Sequence, residues 1–307
     1  MLFNIKALCW DEKLLEIFDI PSEILPTVVD NDALIGDTQV FEKPIKIAGL
    51  IGDQQSSLFG QGCFEEGMAK NTYGTGCFML LNTGKKPFKS KHGLLTTIGF
   101  KTKNLMCYAL EGSVFNAGSV VNWAIDNLNI AKDVNELTNL AYSIDDNEGV
   151  YLVPAFSGMG TPYWDMDARA IICGLTRGCD KRHIARAVLE SMAYSSYDVL
   201  VAMQNDAHGK IKELNVDGGA SKNEKLMQFQ SDILNVKINK QNDESTCLGA
   251  VFMTGLATGA YKNIDDIKKC IKVEKEYFSN QDKKTEIKIC LENWKKAVHK
   301  CLTKLGR

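Results

Sequence analysis

An α/β fold is predicted by the alternation of short apolar runs with longer amphipathic stretches along the chain. The run 45–51 has the length and β-branched content of a buried strand, and it leads into Asp53 and Gln54. A second short run, 214–216, ends in a turn with two consecutive glycines, and a helical pattern follows it. Between the two runs, 181–204 repeats apolar residues at helical spacing. In an open α/β sheet, polar residues at the carboxyl ends of strands are well placed to face a ligand.

Composition limits the classes of protein to which the chain can belong. Its 307 residues are enough for one large domain or two ordinary ones, with 45% hydrophobic and 24% charged residues. A net charge of −2 provides no basic field, which argues against a nucleic-acid partner. No apolar run approaches the roughly 18 to 20 residues that span a bilayer, and the N-terminus lacks the apolar core of a signal peptide.

Cysteine usage indicates the compartment. The chain has ten cysteines, without a Cys-x-x-Cys pair and without a histidine at zinc-finger spacing. Several lie inside apolar runs, so we expect buried free thiols and a cytoplasmic protein.

The first 44 residues predict no domain of their own. Residues 12–20 form a short amphipathic helical pattern that two prolines, Pro21 and Pro26, close.

A glycine-rich turn lies between the next two apolar runs. Tyr73-Gly74-Thr75-Gly76 precedes the run 77–81, and such a turn lets backbone N–H groups and one hydroxyl approach a phosphate. Each feature has a simpler explanation. An aspartate after a strand, such as Asp53, is more often a helix cap or turn residue than a base, and an isolated Gly-x-Gly turn usually binds nothing.

The segment after Gly84 predicts a hairpin and then a helix. Runs 94–100 and 105–110 are the two strands, and the helix begins at 111–113, with Ser113 as its N-cap, and ends near Leu128. Gly118 and Asn122 are four residues apart and therefore share a helix face. Close packing of helices would by itself account for Gly118.

Further strands are predicted at 150–156 and 168–175. The helix 181–204 follows, with Asp180 as its N-cap and with His183 in a structural role.

Two helical segments complete the chain. Ser245 or Thr246 is expected to cap a helix that ends near Tyr261, and 285–305 predicts a docking helix with a basic solvated face. Before them, the strand 214–216, its glycine turn and the helix after it could present a flat backbone and a helix N-terminus to a nucleotide, or could be an ordinary tight turn.

Three stretches together carry a resemblance to a known family. They are GDQQ at 52–55, KNTYGTGCF at 70–78 and the run from Gly174 to Glu190. With them the chain resembles the FGGY family of carbohydrate kinases, and in particular its glycerol-phosphorylating branch. The resemblance extends over nearly all of residues 1–261. It implies an actin-like ATPase, or ribonuclease-H-like, α/β fold, with a mixed sheet flanked by helices.

The resemblance also implies an activity and a set of site residues. The reaction would be ATP-dependent phosphorylation of glycerol to sn-glycerol 3-phosphate, with ATP and Mg²⁺ as cofactors. Asp53 would accept the proton of the attacking hydroxyl, Gln54 would hold a neighbouring hydroxyl, and Phe78 would cover the carbon face. The nucleotide would be held by Thr75, Gly118, Asn122, Gly219 and Asn223, with Thr75 at the transferring phosphate. Asn122 stands where the family usually has a longer glutamine, and no residue is assigned to the metal.

The domain layout implied by the resemblance is incomplete. Residues 1–60 would be the end of the family's N-terminal domain, 61–261 its C-terminal nucleotide-binding domain, and 262–307 a C-terminal helical extension. The D-x-G-T-x-x-x-R segment of the family, and the Arg-Glu, Trp and Tyr that grip glycerol, have no counterpart in the sequence. We therefore expect an N-terminal companion chain or a further part of the protein to complete the activity, and a homo-oligomer once it is complete.

Two alternatives remain open at this point. The chain could phosphorylate another polyol or sugar, because part of the substrate choice belongs to the missing segment. It could instead be a catalytically silent module that binds ATP or a partner.

Overall fold

A computed structural model of the chain describes residues 2–209, 211–241 and 244–303. The strands are β1 (Phe3–Asn4), β2 (Cys9–Trp10), β3 (Leu34–Thr38), β4 (Ile45–Ala48), β5 (Met68–Tyr73), β6 (Cys77–Asn82), β7 (Leu95–Lys101), β8 (Met106–Val114), β9 (Tyr151–Val153), β10 (Ile171–Cys173), β11 (Glu213–Gly218), β12 (Lys237–Lys240) and β13 (Lys275–Tyr277). The helices are α1 (Glu12–Ile17), α2 (Asp53–Gly60), α3 (Gly118–Asp126), α4 (Val134–Ala141), α5 (Lys181–Ala207), α6 (Glu224–Leu234), α7 (Ser245–Thr258), α8 (Ile264–Lys268) and α9 (Lys284–Cys301). Single 3₁₀ turns lie at Ser22–Ile24, Gly219–Lys222 and Gln281–Lys283.

A seven-stranded mixed sheet organises the fold. Its order is β13-β12-β11-β5-β6-β8-β7. Strand β11 pairs in parallel with both β5 and β12, and the remaining neighbours are antiparallel. Helices flank this sheet, as predicted. Because β5 and β11 are parallel, their carboxyl ends lie side by side, with Tyr73 opposite Gly218.

The two faces of the sheet differ in chemistry. One face presents apolar residues such as Tyr73 and Val216 to a large core that includes α5 and the buried Trp294 of α9. Helices α2 and α7 contribute Phe59 and Phe252 to a smaller core on the opposite face. Polar side chains also occupy this second face. Lys70, Asn215 and Asn239 are paired across β5, β11 and β12 and are all buried.

The N-terminal hairpin corrects one prediction. The run 45–51 is not a buried strand: β4 pairs with β3 alone, and Ile45 and Ile47 are exposed. An apolar run reports strand propensity, whereas burial depends on a partner that packs against it. Other large apolar residues of this region are also exposed, among them Val40 and Phe41.

Two predicted helix starts are wrong. Residues 111–113 continue β8, because the ladder pairs Ser113 with Phe78, and α3 begins only at Gly118 with Ala117 as its N-cap. The N-cap residue of α7 is Glu244, and the helix ends at Thr258. The hydroxyl of Ser245 is directed to the carboxylate of Asp217 instead. For Ser113 the pairing of β8 with β6, and for Ser245 the side-chain bond to Asp217, overrides the local cap pattern.

Other local predictions are confirmed. Strands β7 and β8 form the expected hairpin. Asp180 caps α5 in a capping box with His183, which is 3% exposed and accepts the Asp180 N–H through Nδ1, in keeping with a structural role. Helix α9 ends at Cys301, and part of the predicted span to 305 lies outside the described residues.

The structure also tests two further expectations: buried free thiols and the absence of a membrane span. All ten cysteines are free. Cys63, Cys77, Cys107 and Cys301 are buried, but Cys9, Cys247 and Cys270 are exposed, so the prediction of buried thiols is wrong for those three. Within the part of the chain that the structure describes, every helix is too short or too polar to cross a bilayer.

A buried carboxylate joins three elements of the larger core. Asp198 of α5 accepts hydrogen bonds from the Tyr163 hydroxyl at 2.9 Å and from Trp294 Nε1 at 2.8 Å. Burial raises the pKa of Asp198 to about 6, and the bonds from Trp294 and Tyr163 oppose that rise. The proton is therefore bound more tightly in the folded protein than in the unfolded chain.

Stability should depend on pH through Asp198. Because the folded pKa lies above the unfolded value, its contribution is fully present below about pH 4 and is lost as pH rises through about 6. Asp198→Asn keeps an oxygen for both donors and removes the titration. We expect the loss of unfolding free energy between pH 4 and 8 to be smaller by about 2 kcal/mol in this variant.

Urea unfolding at several pH values, followed by tryptophan fluorescence, measures this difference. The exposed Asp126 supplies the control substitution Asp126→Asn. Parallel pH profiles for wild type and Asp198→Asn would contradict the assignment.

Candidate active site

A cleft of about 690 Å³ opens at the carboxyl ends of β5 and β11, between α3, α4 and α6. The five residues predicted to hold a nucleotide all line it: Thr75, Gly118, Asn122, Gly219 and Asn223. Residues that are far apart in the sequence therefore converge on one concave surface.

The turn after β5 is held against α3 by backbone contacts. The N–H of Gly118 donates to Gly74 O at 3.0 Å, and the N–H of Ala117 donates to Thr75 O at 2.8 Å. A Cβ on Gly118 would lie 2.7 Å from Gly74 O. Close packing is thus a sufficient reason for a glycine at 118, and the same contact brings Thr75 to the wall of the cleft.

The turn after β11 forms the opposite wall. Gly218 has φ +87°, and a Cβ there would lie 2.3 Å from Tyr73 O, so only glycine fits. Gly219 is exposed, and a Cβ on it would meet nothing within 4 Å. The backbone at Gly219 therefore leaves an open, flat surface.

Asn223 has a structural role in addition to its place in the cleft. Its Oδ1 accepts the Leu226 N–H at 3.1 Å and caps α6, and its Nδ2 donates to Thr138 Oγ1 of α4 at 3.4 Å. These contacts direct the N-terminus of α6 toward the cleft, where the helix dipole favours an anion.

Cations that the sequence analysis did not single out surround Tyr142 at the far wall. Arg186 lies 4.8 Å and Lys225 5.0 Å from the centre of its ring. Burial raises the pKa of the Tyr142 hydroxyl, so it stays neutral. Lys222 and Lys225 also line the cleft, together with Glu224, whose carboxylate is paired with Lys275. A charge contributed by separate helices leaves no local sequence signal.

Asp53 and Gln54 begin α2. Gly52 is the N-cap, so Asp53 is the first helical residue and the interpretation of Asp53 as a cap is wrong. Its carboxylate is exposed, and its Oδ1 accepts the N–H of Gln54 at 2.7 Å. A carboxylate in the first turn is stabilised by the helix dipole.

The sequence analysis missed the residue that joins Gln54 to the sheet. Lys70 of β5 donates from Nζ to Gln54 Oε1 at 2.5 Å and to Thr72 Oγ1 at 3.1 Å. Burial lowers the pKa of Lys70 to about 8, while the nearby Asp217, Cys63, Glu111 and Asp53 raise it. Burial also raises the pKa of Glu111. The sequence signal that could have identified Lys70 is a charged residue within the otherwise buried strand β5.

Phe78 lies on the same face of the sheet as Lys70. It is paired with Thr72 across β5 and β6, and directly opposed residues share a face. Its side of the sheet also carries α2, and Phe78 remains 37% exposed. Asp53, Gln54 and Phe78 thus belong to one end of the sheet, and the cleft begins at the turn where β5 ends.

Metal-binding residues are not clustered in the described ranges. Residues 2–209, 211–241 and 244–303 contain no group of three or more His, Cys, Asp or Glu side chains that could hold an ion.

The chain is similar to known glycerol kinases. It is 50% identical to glycerol kinase 2 of Clostridium tetani over 306 residues, which cover 98% of this chain and 62% of that protein. It is also 50% identical to a glycerol kinase of Shewanella frigidimarina, over 97% of this chain and 60% of that protein. The chain therefore spans about three fifths of the length of these relatives.

Solved structures share its fold. A Plasmodium falciparum glycerol kinase, determined with ADP, superposes with a TM-score of 0.92 at 38% identity, covering 99% of this chain and 62% of that one. A xylulose kinase from Lactobacillus acidophilus superposes with a TM-score of 0.87 at 23% identity, which shows the fold alone; it covers 97% of this chain and 62% of that one. The predicted actin-like ATPase architecture is confirmed.

A family model covers more than half of the sequence. The C-terminal domain of the FGGY family of carbohydrate kinases matches residues 69–258, which include the turns at Thr75 and Gly219. This match agrees with the resemblance carried by the sequence motifs. The chain belongs to the FGGY family of carbohydrate kinases.

Proposed function

We propose that this chain carries the nucleotide site and the acceptor base of a glycerol kinase. The reaction is transfer of the γ-phosphoryl group of ATP to a terminal hydroxyl of glycerol, which gives sn-glycerol 3-phosphate and ADP. The observation that carries the proposal is the convergence of Thr75, Gly118, Asn122, Gly219 and Asn223 on one cleft. The 50% identity to proteins named glycerol kinase supports the choice of acceptor.

The cleft has the properties that a nucleotide requires. Its volume of about 690 Å³ lies within the roughly 300–1,000 Å³ typical of ligand sites. The flat backbone at Gly219 would lie under the nucleoside. The N-terminus of α6, with Lys222 and Lys225, would face its phosphates. The hydroxyl and N–H of Thr75 would meet the phosphoryl group that is transferred.

The acceptor would be held at the first turn of α2. An ionised carboxylate within about 3 Å of a hydroxyl can take its proton as the new P–O bond forms. Asp53 is exposed and would take that proton, while the bond between the γ-phosphorus and the ADP oxygen breaks. Gln54 would bind a second hydroxyl, and Phe78 would cover the carbon chain. The residues supply positioning and charge, which is most of what phosphoryl transfer needs.

Mg²⁺ accompanies nucleotide phosphates and is usually held by one or two carboxylates besides them. The ion would neutralise charge on the phosphates when bound.

The rest of the kinase is proposed to dock on the N-terminal hairpin. Apolar side chains of β3, of β4 and of the loop between them, where Val40 is 85% and Phe41 59% exposed, form an exposed apolar surface. We propose that residues 1–60 complete an N-terminal domain supplied by a companion chain or by a further part of the protein. Residues 61–261 would be the nucleotide-binding domain and 262–307 a helical extension.

A larger side chain at position 219 would project into the cleft and should weaken nucleotide binding without destabilising the fold. Nothing lies within 4 Å of a Cβ at this position, and its φ is not positive. We expect Gly219→Val to raise the Kd for Mg-ATP by about tenfold or more, which corresponds to about 1.4 kcal/mol. Isothermal titration calorimetry measures the change.

Gly36 supplies the control. It is an exposed glycine on β3 whose Cβ would also meet nothing within 4 Å. Gly36→Val should bind Mg-ATP as the wild type does. If Gly219→Val and the wild type bound Mg-ATP with equal affinity, the nucleotide would have to bind elsewhere.

The direct test is formation of glycerol 3-phosphate from Mg-ATP and glycerol. The purified chain would be assayed alone and then with the N-terminal part of a glycerol kinase relative added in trans. Activity in the second assay alone supports a completed kinase, and activity in the first shows that the chain suffices. If another polyol but not glycerol were phosphorylated, the chain would be assigned to a kinase for that polyol. If the chain bound ATP but phosphorylated none of the polyols tested, it would be a module that only binds ATP.

A further inference from the structure

We infer that Lys70 is a positioning residue of the acceptor side: its ammonium group fixes the carboxamide of Gln54 so that the amide NH₂ of Gln54 is presented to the acceptor. The identity of the acceptor rests on the proposed function. The contacts that carry the inference do not.

The orientation of Gln54 follows from hydrogen-bond chemistry. An ammonium group has donors only, so the atom of Gln54 that lies 2.5 Å from Lys70 Nζ must be the carbonyl oxygen Oε1. The Nε2 atom is then directed away from Lys70, 3.5 Å from Asp53 Oδ2. The amide NH₂ of Gln54 can therefore donate to a hydroxyl oxygen beside Asp53, and its side-chain carbonyl is already engaged by Lys70.

Lys70 is itself held by a chain of hydroxyl groups. Thr72 Oγ1, 3.1 Å from Nζ, lies 3.1 Å from Ser57 Oγ, which lies 3.1 Å from Ser245 Oγ. The Ser245 hydroxyl donates to Asp217. Asp217 directly precedes the Gly218-Gly219 turn of the nucleotide cleft. These contacts thus link the first turn of α2 to the cleft through buried and partly buried groups.

Four titratable groups act on the charge of Lys70. They are the carboxylates of Asp217 on β11, Glu111 on β8 and Asp53 on α2, together with the thiol of Cys63 after α2. Burial lowers the pKa of Lys70 to about 8. The ammonium is therefore charged at neutral pH and loses its charge within a range that solution experiments can reach.

A purely structural role for Lys70 makes different predictions. A buried lysine could serve only to balance carboxylates within the fold. In that case Lys70→Met would change the affinities for acceptor and for nucleotide alike, or would change neither.

The first test observes Gln54 directly in the wild-type chain. Glutamine side-chain amides are labelled for NMR, and the Gln54 pair is identified by its loss in Gln54→Asn. We expect its chemical shifts to titrate with a midpoint near pH 8. Gln228, whose amide bonds to Asp232 and to Phe278 O, serves as the reference signal without that midpoint. A Gln54 signal that stays constant between pH 6.5 and 9.5 overturns the inference.

The second test uses Lys70→Met in the assay completed with the N-terminal part. Losing a hydrogen bond to a charged group should raise the KM for glycerol about ten- to hundredfold, with the KM for Mg-ATP nearly unchanged. Lys101→Met is the matched control, because Lys101 is a partly exposed strand lysine paired with Asp30. Equal changes in both KM values, or none, contradict the inference.

The two tests separate this inference from the proposed function. If wild type does not phosphorylate glycerol in the completed assay, the proposed function fails, and the Gln54 titration still decides the role of Lys70. If Lys70→Met does not fold, the wild-type titration again decides.

Discussion

Replacing Asp53 by asparagine is expected to lower the rate of glycerol phosphorylation about a hundred- to ten-thousand-fold, with Mg-ATP affinity unchanged. That range is typical for the loss of a general base. Asparagine keeps the size of the side chain and the Oδ1 that accepts the Gln54 N–H, but it cannot take the proton of the acceptor hydroxyl. Because the nucleotide cleft is lined by other residues, binding of Mg-ATP should survive. Initial rates in the completed assay and calorimetric titration with Mg-ATP measure the two quantities.

Asp265 provides a control that shares the position of Asp53 in a helix. It is an exposed aspartate in the first turn of α8. A carboxylate in a first turn contributes about 0.3–1 kcal/mol through the helix dipole, so both substitutions carry a similar small cost in stability. Asp265→Asn should nevertheless leave the rate unchanged. If Asp53→Asn retained more than about a tenth of the wild-type rate, another group would have to be the base.

Local signals in the sequence predicted those parts of the site that depend on backbone conformation. The Gly-Thr-Gly turn and the Gly218-Gly219 turn both follow strands, as their patterns indicated. Glycine at these places reports a positive φ or a close approach of two backbones, which a sequence can reveal. The convergence of Thr75 and Gly219 on one cleft then came from the family resemblance, since no local pattern places β5 beside β11.

Lys70 and Ser113 show why the remainder could not be predicted. The partner of Lys70 is Gln54, and only the packing of α2 against β5 brings the two together. Ser113 has the same local surroundings as a helix cap, but its pairing with Phe78 keeps it in β8. The exposed strand β4 is a third example, because the same apolar run would be buried if another element covered it. In each case the deciding interaction involves residues distant in the sequence.

Gly249→Ala is expected to lower the free energy of unfolding by about 3 kcal/mol. Helices α2 and α7 cross with their backbones in contact, and a Cβ on Gly249 would lie 1.9 Å from Ser56 O. Overpacking costs about 1–3 kcal/mol or more, and here backbone atoms cannot rotate away as a side chain could. The loss should appear although alanine favours a helix by about 1 kcal/mol relative to glycine. Urea denaturation measures it, and Gly36→Ala, which meets nothing within 4 Å, is the control.

The same substitution should also reduce catalysis, because α2 carries Asp53 and Gln54. Pushing α2 away from α7 would lengthen the contact between Ser57 and Ser245, now 3.1 Å, and displace the first turn of α2 from Lys70. A displacement of about 1 Å in a phosphoryl-transfer site can cost about a hundredfold in rate. The affinity for Mg-ATP should fall less than the rate, since the cleft lies beyond β5. A Gly249→Ala variant with wild-type stability and wild-type rate would show that the α2–α7 crossing can relax without moving the acceptor side.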